Sequence, residues 1–305
     1  MDNIVWRIKT QKDFYEVITE EYKTVFLADG DYNNQELKNS FVKYMSNDEK
    51  TSSLGAIESG WTNLELDDVR YYVNEYGARG DWSVKHQNDV VTIAFFGCSF
   101  TFGVGMDEDQ IFQNLVGKNW VVPNKKIEII NLGFPGGSIS KAVRLFNYLI
   151  EVKKVDIAIF TLPTHLRHEW VLRDEENNVK YANLIPNSKA HNMDDVWNLY
   201  YELMNDDNML YQVTKDLMLI ESYAKARDIK TYYSSWDNQT YNYTRKLINE
   251  DAKMLPYFKF LENFGGKHLG HARDGRHPGP TSHMNYAEEI IKHLDRHYLN
   301  KRDFI

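Results

Sequence analysis

Residues 90–103 read VVTIAFFGCSFTFG. The run Val90–Gly97 is apolar and rich in β-branched and aromatic residues, which predicts a strand. It runs straight into Gly97-Cys98-Ser99, and a second glycine, Gly103, follows. Glycine on both sides of Ser99 predicts a tight turn that presents this serine at the end of the strand, with a helix starting just after it.

Working outward, the pattern alternates. VVTIAFFG is followed by IFQNLVGKNW, then KIEIINLG, SKAVRLFNYLIEV and VDIAIFTL, which is strand and helix in turn. Such alternation predicts parallel strands joined by helical crossovers, an α/β fold with a central parallel sheet. A helix over MLYQVTKDLMLIESYAKARD and a strand over IKTYYSSW continue it, and NYAEEIIKHLDRHYL closes the chain as an amphipathic helix. Between them, residues 166–208 are polar, aromatic and irregular, and read as an insertion after the third strand, near the site. Residues 1–88 read as an N-terminal helical extension packed on the core, with helical patterning in KDFYEVITEEYKTVFL and QELKNSFVKYMS; residues 89–305 read as the α/β domain. Open sheets of this kind bind ligands beyond the carboxyl ends of their strands. Ser99, the segment Gly133–Ser138 and the segment Pro163–Arg167 all fall at such ends and are expected to converge.

Composition narrows the classes. The chain has 305 residues, 42% of them hydrophobic, enough to bury a core without staples. A single cysteine, Cys98, excludes an intrachain disulfide framework and points away from an oxidising compartment. The N-terminal MDNIVWRIKTQKDF mixes charge into its apolar residues, and no apolar run approaches the roughly 20 residues that cross a bilayer. A cytoplasmic protein with no membrane partner is the expectation. A net charge of −8 with no basic patch argues against nucleic acid as a partner. Oligomeric state is not legible.

A serine hydroxyl is a poor nucleophile until a histidine takes its proton and a carboxylate orients that histidine. Ser99 supplies the first group, and DGRHPG near the C-terminus supplies the others, Asp274 and His277. Cys98 is the rival nucleophile, since thiolates are stronger. Strand alternation, however, would turn its side chain away from Ser99 and into the core. His165, His168 and Glu169 lie together in sequence, yet no second ligand set at metal spacing accompanies them, so neither a metal nor another cofactor is expected. Trp236 and Tyr241, with Tyr243, in SSWDNQTYNY are candidates to line a sugar site, although a packed loop explains them equally well.

The motifs resemble those of the SGNH/GDSL-type hydrolases over roughly residue 72 to the C-terminus. GCSFTFGVG resembles the family's first block, with Cys98 in place of the usual aspartate and Ser99 as nucleophile. NLGFPGGS resembles the second, in which a glycine of a G-x-x-G turn donates its backbone N–H to the oxyanion; here that is Gly136, with Gly137 the close alternative. DGRHPGPTSH resembles the last block, D-x-x-H, making Asp274 the orienting acid and His277 the general base. NEYGARGDW resembles an N-x-x-G-x-R-G segment that precedes the nucleophile strand in some members. The third block departs: where the family has G-x-N-D, this chain has LPTHLRHE, with His165 at the asparagine's place. His165 or Arg167 would then stand in as the oxyanion's side-chain donor, beside the Ser99 and Gly136 N–H groups. The resemblance implies a flavodoxin-like three-layer α/β/α sandwich. It also implies hydrolysis of esters, with O-acetylated carbohydrate the leading substrate class and a small ester or acylated glycan as the partner. Two alternatives follow from it: a glycan O-acyltransferase using the same groups, and a catalytically silent binding or structural protein, such as a component of a phage particle.

Overall fold

The structure is a computed structural model and describes residues 40–43, 70–74, 78–82, 89–173, 179–184, 205–259, 271–272 and 277–299. In chain order its described strands are β1 (Ser40–Lys43), β2 (Arg70–Val73), β3 (Val90–Gly97), β4 (Lys126–Gly133), β5 (Ile157–Leu162), β6 (His168–Arg173), β7 (Val179–Leu184) and β8 (Lys230–Ser235). Its helices are α1 (Ser99–Phe102), α2 (Phe112–Asn119), α3 (Ile139–Val152), α4 (Asp206–Ala226), α5 (Asn238–Ile248) and α6 (Pro280–His297).

Strand alternation builds a three-layer sandwich. Val91, Ile93 and Phe95 of β3, with Ile157 and Ile159 of β5, meet one apolar cluster, to which α2 adds Phe112 and Val116 and α6 adds Tyr286, Ile290 and Leu294. The residues between them, Ala94, Phe96, Ala158 and Phe160, meet the other, with Phe146 and Leu149 of α3 and Leu217 and Ile220 of α4. Phe96 is stacked on Phe160 at 4.8 Å and meets the edge of Phe146 at 5.6 Å, so sheet and helix are locked by aromatic contacts as well as by area.

The central sheet is parallel throughout, in the order β4-β3-β5-β8. This is an α/β/α sandwich with the flavodoxin-like strand sequence. The chain leaves β3 toward β4 on one side and leaves β5 toward β8 on the other, so a crevice opens beyond the carboxyl ends of β3 and β5. Ser99 follows one of those ends and Pro163–Arg167 follows the other.

The stretch QELKNSFVKYMS differs from its helical reading, because Ser40–Lys43 within it is a strand paired antiparallel with β2. Phe41 and Val42 suit a strand, and a partner in register, Tyr72 and Tyr71, overrides local helical patterning. The rest of that stretch, and KDFYEVITEEYKTVFL, lie outside the described residues. Within the insertion, β6 and β7 form an antiparallel hairpin in register from His168–Leu184 to Arg173–Val179.

Candidate active site

The turn that carries Ser99 begins where β3 stops. Ser99 is the first residue of α1; the Phe102 N–H donates to the Cys98 carbonyl at 2.8 Å, and the Gly103 N–H to the Ser99 carbonyl at 2.9 Å. The short helix folds back on the end of β4, where a Cβ on Gly133 would lie 2.2 Å from the Phe102 nitrogen. Because the chain has left the strand at Gly97, Cys98 and Ser99 do not point to opposite faces. The Ser99 hydroxyl lies 4.0 Å from the Cys98 sulfur, which also accepts the Trp236 indole N–H at 3.2 Å. Cys98 is fully buried, whereas Ser99 keeps 7% of its surface.

A second turn abuts the first. The Phe134 N–H donates to the Gly97 carbonyl at 3.0 Å, and the Gly137 N–H closes the turn on the Phe134 carbonyl at 2.9 Å. Gly136 takes a left-handed φ of 74°, which favours glycine. Ser138 then caps α3 by accepting the Lys141 N–H at 3.1 Å. A Cβ on Gly137 would lie 3.2 Å from the Gly97 carbonyl and 3.6 Å from Cys98 Cα, so this turn lies against the backbone of the two residues before Ser99.

The C-terminal motif arrives from the far end of the chain. The His277 carbonyl accepts the Ala272 N–H at 2.8 Å, beside a bridge between His271 and Pro278. The His277 ring meets the ring of Phe100, the residue after Ser99, edge-on at 5.6 Å. Asp274 lies outside the described residues. His283, in the first turns of α6, is wholly buried; its Nδ1 accepts the Phe112 N–H at 3.2 Å and so fixes the start of α2 rather than its own helix. Burial pushes its pKa down to about 3; the charges of Arg79 and His277 add to this and the Pro278 carbonyl opposes it.

The loop after β5 divides its residues. The His165 backbone N–H donates to Thr240 Oγ1 at 2.9 Å, and its ring Nδ1 lies 3.2 Å from the same oxygen. Asp237 and Asp206 stand 4.0 and 3.9 Å from its ring nitrogens. Burial lowers the His165 pKa against the pull of those two carboxylates. The ring is therefore tied to the capped starts of α4 and α5. Arg167 reaches the other way: its guanidinium carbon stands 5.4 Å from the ring centre of Trp236, the same indole that donates to Cys98. Glu169 is locked to Arg144 of α3 by two hydrogen bonds of 2.8 and 2.7 Å. Burial lowers the pKa of His168, with Glu169 opposing and Lys215 adding. Among the described residues no group of three or more His, Cys, Asp or Glu side chains is placed to hold a metal ion, and no helix is long and apolar enough to cross a membrane.

No protein-family model matches the chain, and no curated protein does. Solved structures do. The chain is similar to TesA at 14% identity, over 67% of this chain and 98% of that one, with a TM-score of 0.43. It is similar to the esterase EstA from Pseudoalteromonas sp. at 13% identity, over 69% of this chain and 99% of that one, with a TM-score of 0.42. It is also similar to the acetyl xylan esterase Axe2 from Geobacillus stearothermophilus at 12% identity, over 70% of this chain and 97% of that one, with a TM-score of 0.38.

Of the aromatics read as sugar-lining, only Trp236 stands at the serine's turn, tilted over Phe100 at 4.8 Å. The Tyr241 hydroxyl donates to the Leu255 carbonyl at 3.0 Å, and the Tyr243 hydroxyl meets Thr214 Oγ1 at 2.8 Å, so both tie α5 to its neighbours.

One residue's role was invisible in sequence. Arg79, in NEYGARGDW, is fully buried and grips the segment that follows Ser99: Nη1 donates to the Phe102 and Gly103 carbonyls at 2.9 and 2.7 Å, Nη2 to the Met106 carbonyl at 2.8 Å, and Nε to Glu108 at 2.7 Å. Its guanidinium also lies 4.6 Å from the centre of the Tyr71 ring. The motif match was the available signal, but it carries no hint of which carbonyls the arginine holds.

Proposed function

We propose that the chain is a serine esterase of the SGNH/GDSL kind that cleaves acyl esters, O-acetylated carbohydrate foremost. The observation that carries the reading is the edge contact of the His277 ring on Phe100. It sets the only histidine of the late D-x-x-H motif beside the residue that follows Ser99. In this reading the Ser99 hydroxyl attacks the ester carbonyl and passes its proton to His277, which Asp274 orients. The C–O bond to the alcohol breaks, and His277 returns the proton to the leaving oxygen. Water, deprotonated by the same histidine, then attacks the acyl-enzyme, freeing the acid and regenerating Ser99.

The oxyanion is held by the backbone N–H groups of Ser99 and Gly136. The Gly137 N–H already donates to the Phe134 carbonyl, which favours Gly136 of the two glycines. The His165 ring is engaged by Thr240 at Nδ1, while its Nε2 has no hydrogen-bond partner among the described residues. Intact-mass analysis after treatment with a fluorophosphonate, alongside hydrolysis of an aryl acetate, tests the reading. One adduct that disappears in Ser99→Ala, together with lost turnover, is expected. Turnover retained by Ser99→Ala would overturn it.

A further inference from the structure

We propose that Arg167 recognises an anionic substituent of the substrate, so that the preferred ester carries a carboxylate or phosphate close to the acyl group. The inference rests on the esterase reading for the word ester, and on the arginine's own surroundings for the rest. Arg167 Nε and Nη1 are closed off from solvent and have no hydrogen-bond acceptor among the described residues. Among the described residues no ion pair engages this guanidinium either, although Asp206 and Asp237 stand close to His165. A guanidinium stays charged at any physiological pH, and a shielded charge without an acceptor is unfavourable until something supplies one. Nε and Nη1 each form half of a bidentate edge of the planar group, with Nη2 as the shared other half. Each edge fits the paired oxygens of a carboxylate or phosphate.

Position adds the second half. Arg167 is stacked over Trp236 at 5.4 Å, and the Trp236 indole donates at 3.2 Å to Cys98, the neighbour of Ser99. The cation therefore sits one tryptophan away from the Ser99 turn, beyond the carboxyl ends of the strands, on the indole that follows β8. In a chain of net charge −8, an anionic substrate needs such a fixed cation at its point of entry. An arginine that served the oxyanion alone would be indifferent to the substrate's own charge.

The test compares acetate release from O-acetylglucose, O-acetylglucuronate and O-acetylglucose phosphate by wild type, Arg167→Met and Arg167→Lys. Wild type should prefer one or both anionic esters by roughly 10- to 100-fold in kcat/KM, the range of a charge-assisted hydrogen bond. Arg167→Met should bring that ratio close to one, with fluorophosphonate labelling of Ser99 intact, and Arg167→Lys should recover part of it. The two anionic arms tell carboxylate from phosphate. Equal rates on all three esters in wild type, or an equal loss on all three in Arg167→Met, would overturn the proposal and leave the esterase reading standing. Calorimetry with glucuronate and with glucose phosphate on Ser99→Ala, with and without Arg167→Met, reads the anion site without catalysis. Arg167-dependent binding in a protein that neither labels nor turns over would retain the anion site and sink the esterase.

Discussion

Replacing Arg79 by methionine should destabilise the protein by about 4 kcal/mol and slow the labelling of Ser99. The side chain is fully buried and satisfies three main-chain carbonyls, those of Phe102, Gly103 and Met106. A buried acceptor stripped of its partner costs about 1–3 kcal/mol. Taking the low end for each carbonyl, because the Gly103 carbonyl keeps the Met106 N–H at 3.1 Å and the Phe102 carbonyl keeps Asn131 Nδ2 at 3.5 Å, gives about 3 kcal/mol. Loss of the guanidinium from the Tyr71 face adds roughly 1 kcal/mol. The Glu108 end contributes little, since that side chain is 42% exposed and such pairs are worth at most about 1 kcal/mol. Urea unfolding followed by circular dichroism measures the stability, and the rate of fluorophosphonate labelling reports on the serine's turn. Arg79→Lys should rescue little, because one ammonium cannot span three carbonyls, while Glu108→Gln should stay within about 1 kcal/mol of wild type. A stability for Arg79→Met within 1 kcal/mol of wild type would refute the idea that this arginine anchors the loop behind Ser99.

His283 makes stability depend on pH: the folded protein keeps this ring neutral down to about 3, whereas the unfolded chain takes up a proton from about 6.5 downward. Stability therefore falls as pH drops from 6.5 toward 3, by about 2 kcal/mol at pH 5. His283→Asn, whose side-chain oxygen can still accept the Phe112 N–H, should flatten that part of the urea-derived profile; parallel profiles for the two proteins would contradict the assignment. At Gly133, alanine would place its Cβ 2.2 Å from the Phe102 nitrogen and 2.6 Å from the Thr101 carbonyl carbon, both main chain. Gly133→Ala should accordingly lower the melting temperature sharply and displace α1, and a variant that melts and labels like wild type would show that the two turns are less tightly packed than described.

Much of the fold was legible because its signals are local. Val90–Gly97 and Ile157–Leu162 are apolar runs with no competing pattern, and α6 shows its helical period in NYAEEIIKHLDRHYL together with a proline at its start. Strand β1 was not legible as such, because only its pairing with β2 selects it over a helix. In the site, the turn at Ser99 was legible from its flanking glycines, and the turn over 133–138 from the motif it resembles. The placement of Cys98 was not, because strand alternation stops applying once the chain enters α1. His165 and Arg167 were interchangeable on paper, being two donors two residues apart. What separates them is tertiary: Thr240 and two helix starts hold the first, and Trp236 carries the second.

That separation extends to the whole neighbourhood of Ser99. The polar groups around Ser99 divide into those committed to holding the scaffold and those still able to donate. Arg79 is committed to the loop behind the serine, His165 to α5, His283 to the start of α2, and the Gly137 N–H to its own turn. Because they are committed, they hold the turns in place before any ligand arrives, so the proposed reaction would need little reorganisation. Arg167 has two shielded donors, Nε and Nη1, that remain open among the described residues, and His165 keeps only Nε2 unpartnered. An asparagine at position 165 would offer a neutral amide toward the oxyanion. In its place the chain has a histidine built into the scaffold and, two residues on, a full positive charge stacked on Trp236. In the proposed reading Arg167 lets this loop discriminate among esters by charge, where an asparagine at position 165 would serve every ester alike.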